Sequence, residues 1–223
     1  MKRILCYGDS NTWGHTPGTG ARYPEGVRWT SILSQKLSDT CVVLEDGING
    51  RTTVFDDYYL PCRNGKSGLG YALLAHKPLD VLVLSLGTND LKYVGALASS
   101  KGVDQLLRLC SQASACFDNG SSPVFAPDAK ILVVSPIRLH PEIAQRNPTS
   151  SIAAKYEEST RFSVCFREVA RKWGAEFLDA AQVAEPSIAD CIHMDASSHA
   201  RLAEAIAQKL RRMLDLDAPA ESV

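Results

Sequence analysis

A serine stands at the end of the first apolar run of the chain, where it could act as a nucleophile. The apolar residues 4–7 are followed directly by Gly8, Asp9, Ser10 and Asn11. Glycine allows a sharp turn off a strand, and aspartate can bond its own backbone in that turn. In open parallel sheets, ligands bind outside the carboxyl ends of the strands. Ser10 is therefore a candidate nucleophile, although a bare Gly-Asp-Ser is also common in ordinary turns.

An aspartate and a histidine near the C-terminus could supply the base that such a serine needs. Asp190 and His193 lie between the last predicted strand and the last predicted helix. A serine hydroxyl needs a base at neutral pH, and the base needs an acid that fixes its tautomer and stabilises the imidazolium. Taken singly, a turn aspartate and a surface or helix-capping histidine are the simpler interpretations.

Two further strand ends have residues that could bind a developing negative charge. Asn89 follows the third predicted strand, where its amide can point toward the same crevice as Ser10. Gly47 and Gly50 follow the second, and glycine lets a backbone N–H face a ligand. The alternatives are an Asx turn for Asn89 and an ordinary loop for the glycines.

Five short β-rich runs alternate with helical patterns, which indicates βαβ units and a parallel sheet. Residues 81–84 and 131–134 are continuously apolar, as expected for central strands covered on both faces. We predict an α/β fold, a flavodoxin-like three-layer α/β/α sandwich with a five-stranded parallel sheet. The predicted strands are Lys2–Tyr7, Cys41–Glu45, Leu79–Leu86, Lys130–Ser135 and Glu176–Asp179.

The last predicted helix has the clearest periodicity. Apolar residues from Leu202 to Met213 recur on one face, and Asp195 or Ser197 could cap the helix. The other predicted helices are Thr30–Leu37, Gly70–His76, Val103–Phe117 and Ile152–Trp173. The aperiodic stretches 11–28, 54–69 and 136–149 are predicted to be loops that form the walls of one cleft.

The composition favours one domain that acts on small or neutral molecules. A chain of 223 residues suits a single α/β domain, which we place at 1–214 with a frayed tail over 215–223. The net charge of -1 provides no basic surface for nucleic acid or an anionic membrane. The apolar run before Gly8 is too short for a secretory signal, so we expect a cytoplasmic protein. Its seven cysteines form no CxxC pairs and are expected to be free thiols.

Three other patterns are weaker. The Gly-Lys-Ser at 65–67 resembles the end of a phosphate-binding loop, but Leu60 occupies the required first glycine position. The chain has no GxSxG elbow, which argues against the α/β-hydrolase fold. Cys191, His193 and His199 match no common zinc spacing, so we expect no metal and no other cofactor. His199 is interpreted as structural.

The four strand-end blocks together resemble the SGNH hydrolase family, also called GDSL esterases, over most of the chain. They are residues 8–11, 49–51, 87–90 and 190–193, in the family's order. The longer matches at 8–14, 50–53 and 86–92 look like the bacterial arylesterase and acyltransferase branch.

The resemblance implies a role for one residue or more in each block. Ser10 would be the nucleophile, His193 the general base and then acid, and Asp190 the residue that orients it. The oxyanion hole would consist of the Ser10 N–H, the Gly50 N–H and the Asn89 side-chain amide. The Arg-Thr-Thr that follows favours Gly50 over Gly47 in this role.

Three residues near these blocks are candidates for the substrate pocket: Asn11, Trp13 and Lys92. Asn11 stands where the short name of the family has leucine, and Lys92 could hold the third loop or be a solvated surface charge. Four aromatic residues could line an acyl or aryl pocket, or pack in the core or at a subunit contact: Trp13, Trp29, Tyr58 and Tyr59.

The sequence thus predicts a serine esterase that hydrolyses small, short-acyl aryl or alkyl esters through an acyl-enzyme, with acyl transfer to alcohols as a further reaction. A carbohydrate acetylesterase, a thioesterase or a lysophospholipase with the same triad is the enzymatic alternative. A flavodoxin-like domain whose serine loop binds an anion is the non-enzymatic one. The resembled branch contains homo-oligomers, so we expect self-assembly, a small-molecule ester as substrate, and neither nucleic acid nor membrane as partner.

Overall fold

A computed structural model of the protein describes residues 1–117 and 122–216. At its centre lies a five-stranded sheet in which every pair of neighbouring strands is parallel, in the order β2-β1-β3-β4-β5. The strands are β1 (Lys2–Gly8), β2 (Cys41–Gly47), β3 (Leu79–Ser85), β4 (Phe125–Ser135) and β5 (Glu176–Asp179). This order has its topological switch point between β1 and β3, where such sheets bind ligands.

The helices of the described residues fall between and after these strands. They are α1 (Ser10–Trp13), α2 (Trp29–Lys36), α3 (Gly65–His76), α4 (Ala96–Phe117), α5 (Ile143–Arg146), α6 (Tyr156–Thr160), α7 (Phe162–Lys172) and α8 (Ala196–Met213). Two short 3-10 helices cover Thr88–Lys92 and Ala180–Gln182. None of these helices is both long and apolar enough to span a bilayer.

Helices cover both faces of the sheet. In β1, Leu5 and Tyr7 pack on the side of α3, α4 and α7, whereas Ile4 and Cys6 pack on the side of α2 and α8. All four side chains are fully buried. Burial on both faces explains the continuously apolar strand sequences. The predicted three-layer α/β/α fold is confirmed.

Three predicted helices have wrong bounds. Helix α4 begins at Ala96 rather than Val103. Helix α3 begins at Gly65 rather than Gly70, because the Asn64 side chain caps it by accepting a hydrogen bond from the Ser67 N–H at 3.3 Å. Its glycines, which suggested a loop, permit close packing, since a Cβ on Gly65 would lie 2.4 Å from the Thr52 carbonyl oxygen. The Gly-Lys-Ser at 65–67 is thus the first turn of an ordinary helix.

The predicted helix 152–173 is two helices, α6 and α7, which meet at Arg161. The predicted tail from 217 onward lies outside the described residues, and the single-domain boundary stays a prediction. Asp195 caps α8 by accepting from the Ser198 N–H at 2.7 Å, as one of the two predicted caps. The side chains of six cysteines are described, and these six are free thiols.

Candidate active site

The turn after β1 is tight and presents Ser10 at the start of a short helix. A Cβ on Gly8 would lie 2.0 Å from the Thr12 hydroxyl oxygen, so only glycine fits there. Asp9 forms the turn as predicted, because its side chain accepts from the Asn11 N–H at 3.0 Å. Burial raises the pKa of Asp9 to about 6. Ser10 is the first residue of α1, directly at the switch point of the sheet.

The structure brings Ser10, His193 and Asp190 together from opposite ends of the chain. Ser10 Oγ lies 2.9 Å from His193 Nε2, and His193 Nδ1 lies 2.8 Å from Asp190 Oδ2. Both ring nitrogens of His193 are therefore in hydrogen bonds, one to a hydroxyl and one to a carboxylate. This arrangement can remove a proton from a serine hydroxyl and stabilise the imidazolium that forms.

Asp190 is held ionised by its surroundings. Burial would raise its pKa, but hydrogen bonds and the charge of His193 lower the pKa to about 2. Oδ1 accepts from the backbone N–H groups of Ile192 and His193 at 3.0 and 2.9 Å. Oδ2 accepts from the Gly18 N–H at 3.3 Å as well as from the His193 ring. The loop after β1 thus supports the loop after β5.

His15 is a site residue that the sequence reading missed. Its ring stacks on the His193 ring with centroids 3.9 Å apart and an interplanar angle of 28°. Burial, followed by the charge of His193, lowers the pKa of His15, so the ring tends to stay neutral. The only signal was its position in the loop 11–28, which was predicted to form a wall of the cleft.

His15, Asp190 and His193 also offer three ligand atoms within 4.8 Å of one another, a spacing at which a metal ion could bind. Both nitrogens of His193 are already occupied by Ser10 and Asp190, which favours acid–base chemistry over metal ligation. His199, one of the metal ligands considered from the sequence, is fully buried, and its Nδ1 accepts from the Trp29 N–H at 3.2 Å. Burial lowers the pKa of His199 to about 4, in agreement with a structural role.

The second and third loops meet beside the serine turn. The Asn89 side-chain amide donates to the Arg51 carbonyl at 3.2 Å, and Gly50 has a φ of 78°, in the left-handed region that favours glycine. Gly47 lies within β2, where a Cβ would come within 2.2 Å of the Trp13 nitrogen. Gly47 is therefore a packing position, and Gly50 is the glycine in the loop.

Comparison with known proteins agrees with this geometry. The family model described as "GDSL-like Lipase/Acylhydrolase family" matches residues 6–213. The chain belongs to this family.

Solved structures of this GDSL-like hydrolase family resemble the chain over almost its whole length. Est24, a carbohydrate acetylesterase from Sinorhizobium meliloti, is 32% identical with a TM-score of 0.86, covering 96% of this chain and 100% of that one. The aryl esterase of M. smegmatis is 32% identical with a TM-score of 0.85 over the same shares. A comparison with curated proteins gives no significant match.

Two buried charged residues of this GDSL-like hydrolase join the loops, and the sequence reading gave neither of them a role. Asp90 is fully buried and accepts from the Thr53 N–H, the Thr53 hydroxyl and the Ser99 hydroxyl at 2.8, 2.6 and 2.6 Å. Burial raises the pKa of Asp90 to about 6. Arg51 donates to the Gly8 carbonyl at 3.0 Å. The sequence signal that could have found them is their position inside the blocks 49–51 and 87–90, which resemble the family.

The proposed pocket residues differ in where their side chains lie. Asn11 is only 8% exposed, and its Oδ1 accepts from the Met194 N–H at 3.0 Å, so it joins the first and fifth loops. Lys92 forms an ion pair with Asp57 at 2.8 Å. Among the aromatic residues, Trp13 is half-buried and lies 6.3 Å from the His15 ring, Trp29 is in the core, and Tyr58 and Tyr59 are exposed.

Proposed function

We propose that the protein is a serine esterase that hydrolyses small, short-acyl carboxylic esters of aryl or alkyl alcohols. The observation that supports it most is the unbroken chain of hydrogen bonds from Ser10 through His193 to Asp190, at 2.9 and 2.8 Å. Family membership supports the hydrolase class, and the M. smegmatis neighbour is itself named an aryl esterase. An anion-binding serine loop would need no histidine on the serine hydroxyl.

In the first step, Ser10 Oγ attacks the ester carbonyl carbon while His193 Nε2 takes the hydroxyl proton. The bond between the carbonyl carbon and the alcohol oxygen then breaks, and the proton passes from His193 to that oxygen. Asp190 remains a carboxylate because its pKa lies at about 2, and it stabilises the imidazolium between the two proton transfers. The product is an acyl-serine and a free alcohol.

The charge that develops on the carbonyl oxygen needs donors that are fixed before the reaction. We assign this role to the N–H groups of Ser10 and Gly50 and to the Asn89 side-chain amide. The loop of Gly50 is attached to β1 by the Ile48 N–H, which donates to the Gly8 carbonyl at 3.2 Å. The bond from Asn89 to the Arg51 carbonyl fixes the same loop from its other side.

In the second step, a water molecule or an alcohol replaces the first alcohol beside His193. It gives a proton to Nε2 and forms a bond to the acyl carbon. When the second tetrahedral intermediate collapses, the bond from this carbon to Ser10 Oγ breaks and His193 returns the proton to Oγ. Water yields a carboxylic acid, and an alcohol yields a new ester. Hydrolysis and acyl transfer therefore use the same residues and differ in the acceptor.

A carbohydrate acetylesterase is the second candidate function. Its support is the Sinorhizobium meliloti neighbour, which is named as one and is as similar in sequence as the aryl esterase, at 32% identity. The two candidates share the nucleophile and the base and differ in the alcohol that leaves.

A serine-directed phosphonate tests the proposed nucleophile. We expect the intact protein to hydrolyse an aryl acetate, and mass spectrometry to place the covalent label on Ser10. Ser10→Ala should abolish both, whereas the control Ser38→Ala, at an exposed position, should abolish neither. An unlabelled protein that does not turn over the aryl acetate would contradict the esterase assignment.

A further inference from the structure

Arg63 is a cation next to the proposed oxyanion hole, and it has no carboxylate partner among residues 1–117 and 122–216. A Cβ placed on Gly50 would lie 3.4 Å from Arg63 Nε and 3.7 Å from Lys92 Nζ. Arg63 Nε is buried and has no hydrogen-bond partner, and its Nη1 donates to the Pro61 carbonyl at 3.2 Å. Arg63 as a whole is half-buried, so its charge is partly screened by solvent, but the buried Nε is a donor that gains free energy from an anionic partner.

The other charges around Arg63 are already neutralised or lie in solvent. Lys92 is paired with Asp57, whose oxygens also accept from two backbone N–H groups at 3.0 Å. Arg51 is paired with Asp46 at 2.7 Å. Asp56 is exposed. Asp56 accepts from the Asn64 side-chain amide at 3.0 Å. Of the three cations Arg51, Arg63 and Lys92, Arg63 is thus the one that has no carboxylate partner within the described part of the chain.

A cavity of about 530 Å³ gives a ligand access to Arg63. Its lining includes two arginines, Arg51 and Arg63, and two aspartates, Asp56 and Asp57, of which Asp57 is paired with Lys92. The side chains of Ile48, Leu60 and Tyr71 line it as well. Ile48 and Arg51 flank the segment that contains Gly50, and both donate to the Gly8 carbonyl, two positions before Ser10. Ser10 and Gly50 do not line the cavity, and these two bonds together with the proximity of Arg63 to Gly50 place it beside the proposed oxyanion hole.

The topology indicates which part of an ester would enter this cavity. The leaving oxygen must face His193, which protonates it. Gly50 and Arg63 follow β2, and His193 follows β5, and these strands are the two opposite edges of the sheet. The acyl group, which points away from the leaving oxygen, is therefore the part that extends toward Arg63.

From this arrangement we infer that the cavity beside Gly50 is a carboxylate subsite, and that the enzyme prefers esters whose acyl group ends in a carboxylate, as in the half-esters of short dicarboxylic acids. The guanidinium fork of Arg63 pairs with the carboxylate, and the apolar lining covers the methylene groups between it and the ester. This inference rests on the proposed esterase function.

Two esters of equal chain length test the subsite: monoethyl glutarate, which is anionic, and ethyl pentanoate, which is neutral. Ethanol release gives kcat/KM for each. We expect Arg63→Gln to lower the ratio of the two values, anionic over neutral, by about tenfold to hundredfold, the range for a hydrogen bond to a charged group. The control Arg171→Gln removes the same charge from an exposed position and should leave the ratio unchanged. The ratio in the intact protein should also fall as salt is added.

Equal losses on both esters would overturn the subsite, because Arg63 would then act on the oxyanion or on the fold. An unchanged ratio in Arg63→Gln would overturn it as well. If Arg63→Gln fails to melt cooperatively, Leu60→Glu places a negative charge on the same cavity wall, and it must lower the same ratio.

Binding separates failure of the subsite from failure of the esterase assignment. Ser10→Ala should bind monoethyl glutarate in a calorimetric titration, and the added Arg63→Gln change should weaken that binding about tenfold or more. Absence of turnover by the intact protein, with this binding to Ser10→Ala present, would contradict only the esterase assignment. Turnover of the neutral ester without the binding would contradict only the subsite.

Discussion

The two sides of Ser10 differ in how completely their polar atoms are bonded. On the side of β5, Asp190 accepts four hydrogen bonds and His193 uses both ring nitrogens. His15 covers the His193 ring, and its own buried Nδ1 has no partner among the described residues. On the side of β2, the buried Nε of Arg63 has no partner, and Gly50 adopts a left-handed conformation beside two cations. The pair of Asp190 and His193 is fully bonded without substrate, and the oxyanion side is not.

This difference indicates how the site divides its work. A base must have its orientation and tautomer fixed before substrate arrives, so its bonds are made within the protein. An oxyanion hole must keep its donors for a charge that exists only during the reaction. Damage to the first side should therefore lower kcat most, and damage to the second should lower it less.

The largest effect is expected for Asp190→Asn. Asparagine keeps the size of the side chain, but it cannot hold His193 in the tautomer that accepts the Ser10 proton, and it cannot stabilise the imidazolium. By analogy with the corresponding change in other Ser-His-Asp enzymes, kcat should fall about 10⁴-fold. Steady-state kinetics on an aryl acetate measures this. A loss smaller than that of Asn89→Ala would reverse the order of the two sides.

Asn89→Ala tests the oxyanion side. Removing one donor from the hole should lower kcat about 10²–10³-fold with little change in KM, because the bond to the oxyanion forms only in the transition state. Thermal unfolding should show that the fold is kept. Gln112→Ala, at an exposed position of α4, is the control for loss of a side-chain amide. Near-normal turnover of Asn89→Ala would remove Asn89 from the hole.

The sequence was sufficient for the sheet and for the residues that act at the ends of its strands. Continuously apolar runs such as 81–84 are typical of strands buried on both faces, and the carboxyl ends of parallel strands lie at one edge of the sheet. Ser10, Asn89, Asp190 and His193 could be found because each one follows such a run or lies between a run and a periodic helix.

The remaining site residues depend on tertiary contacts that leave no local pattern. His15 lies in an aperiodic loop, and its stacking on His193 is set by how that loop folds across the site. Arg63 follows an exposed cysteine in another loop, and its position beside Gly50 depends on where α3 begins. The glycines of α3 misled the boundary prediction because close packing, rather than a turn, requires them.

A smaller loss is expected when the ring beside His193 is removed. His15→Ala should lower kcat/KM by up to about tenfold, the value of an aromatic contact that orients the base. His15→Phe is the matched control, since it keeps a flat ring in the stack, and it should retain most of the activity. If the phenylalanine variant is as slow as the alanine variant, His15 acts through its nitrogens rather than through stacking.

The smallest effect concerns stability and the carboxylate that joins the two loops of the oxyanion side. Burial raises the pKa of Asp90 to about 6, above the value of about 3.9 for an unfolded aspartate. The folded state therefore binds the proton more tightly, so Asp90 makes the protein less stable as the pH rises from about 4 through 6. Asp90→Asn should flatten this part of the curve of melting temperature against pH, with a change of a few degrees, since about 1 kcal/mol moves the midpoint by about 2–4 °C in a domain of this size.

Asp190, whose pKa is lowered to about 2, has the opposite effect on stability. Its stabilising contribution is present above about pH 4 and is lost as the pH falls toward 2. The melting temperature of each variant relative to the intact protein should therefore change with pH in opposite directions for Asp90→Asn and Asp190→Asn. Changes in the same direction would contradict the difference between the two sides.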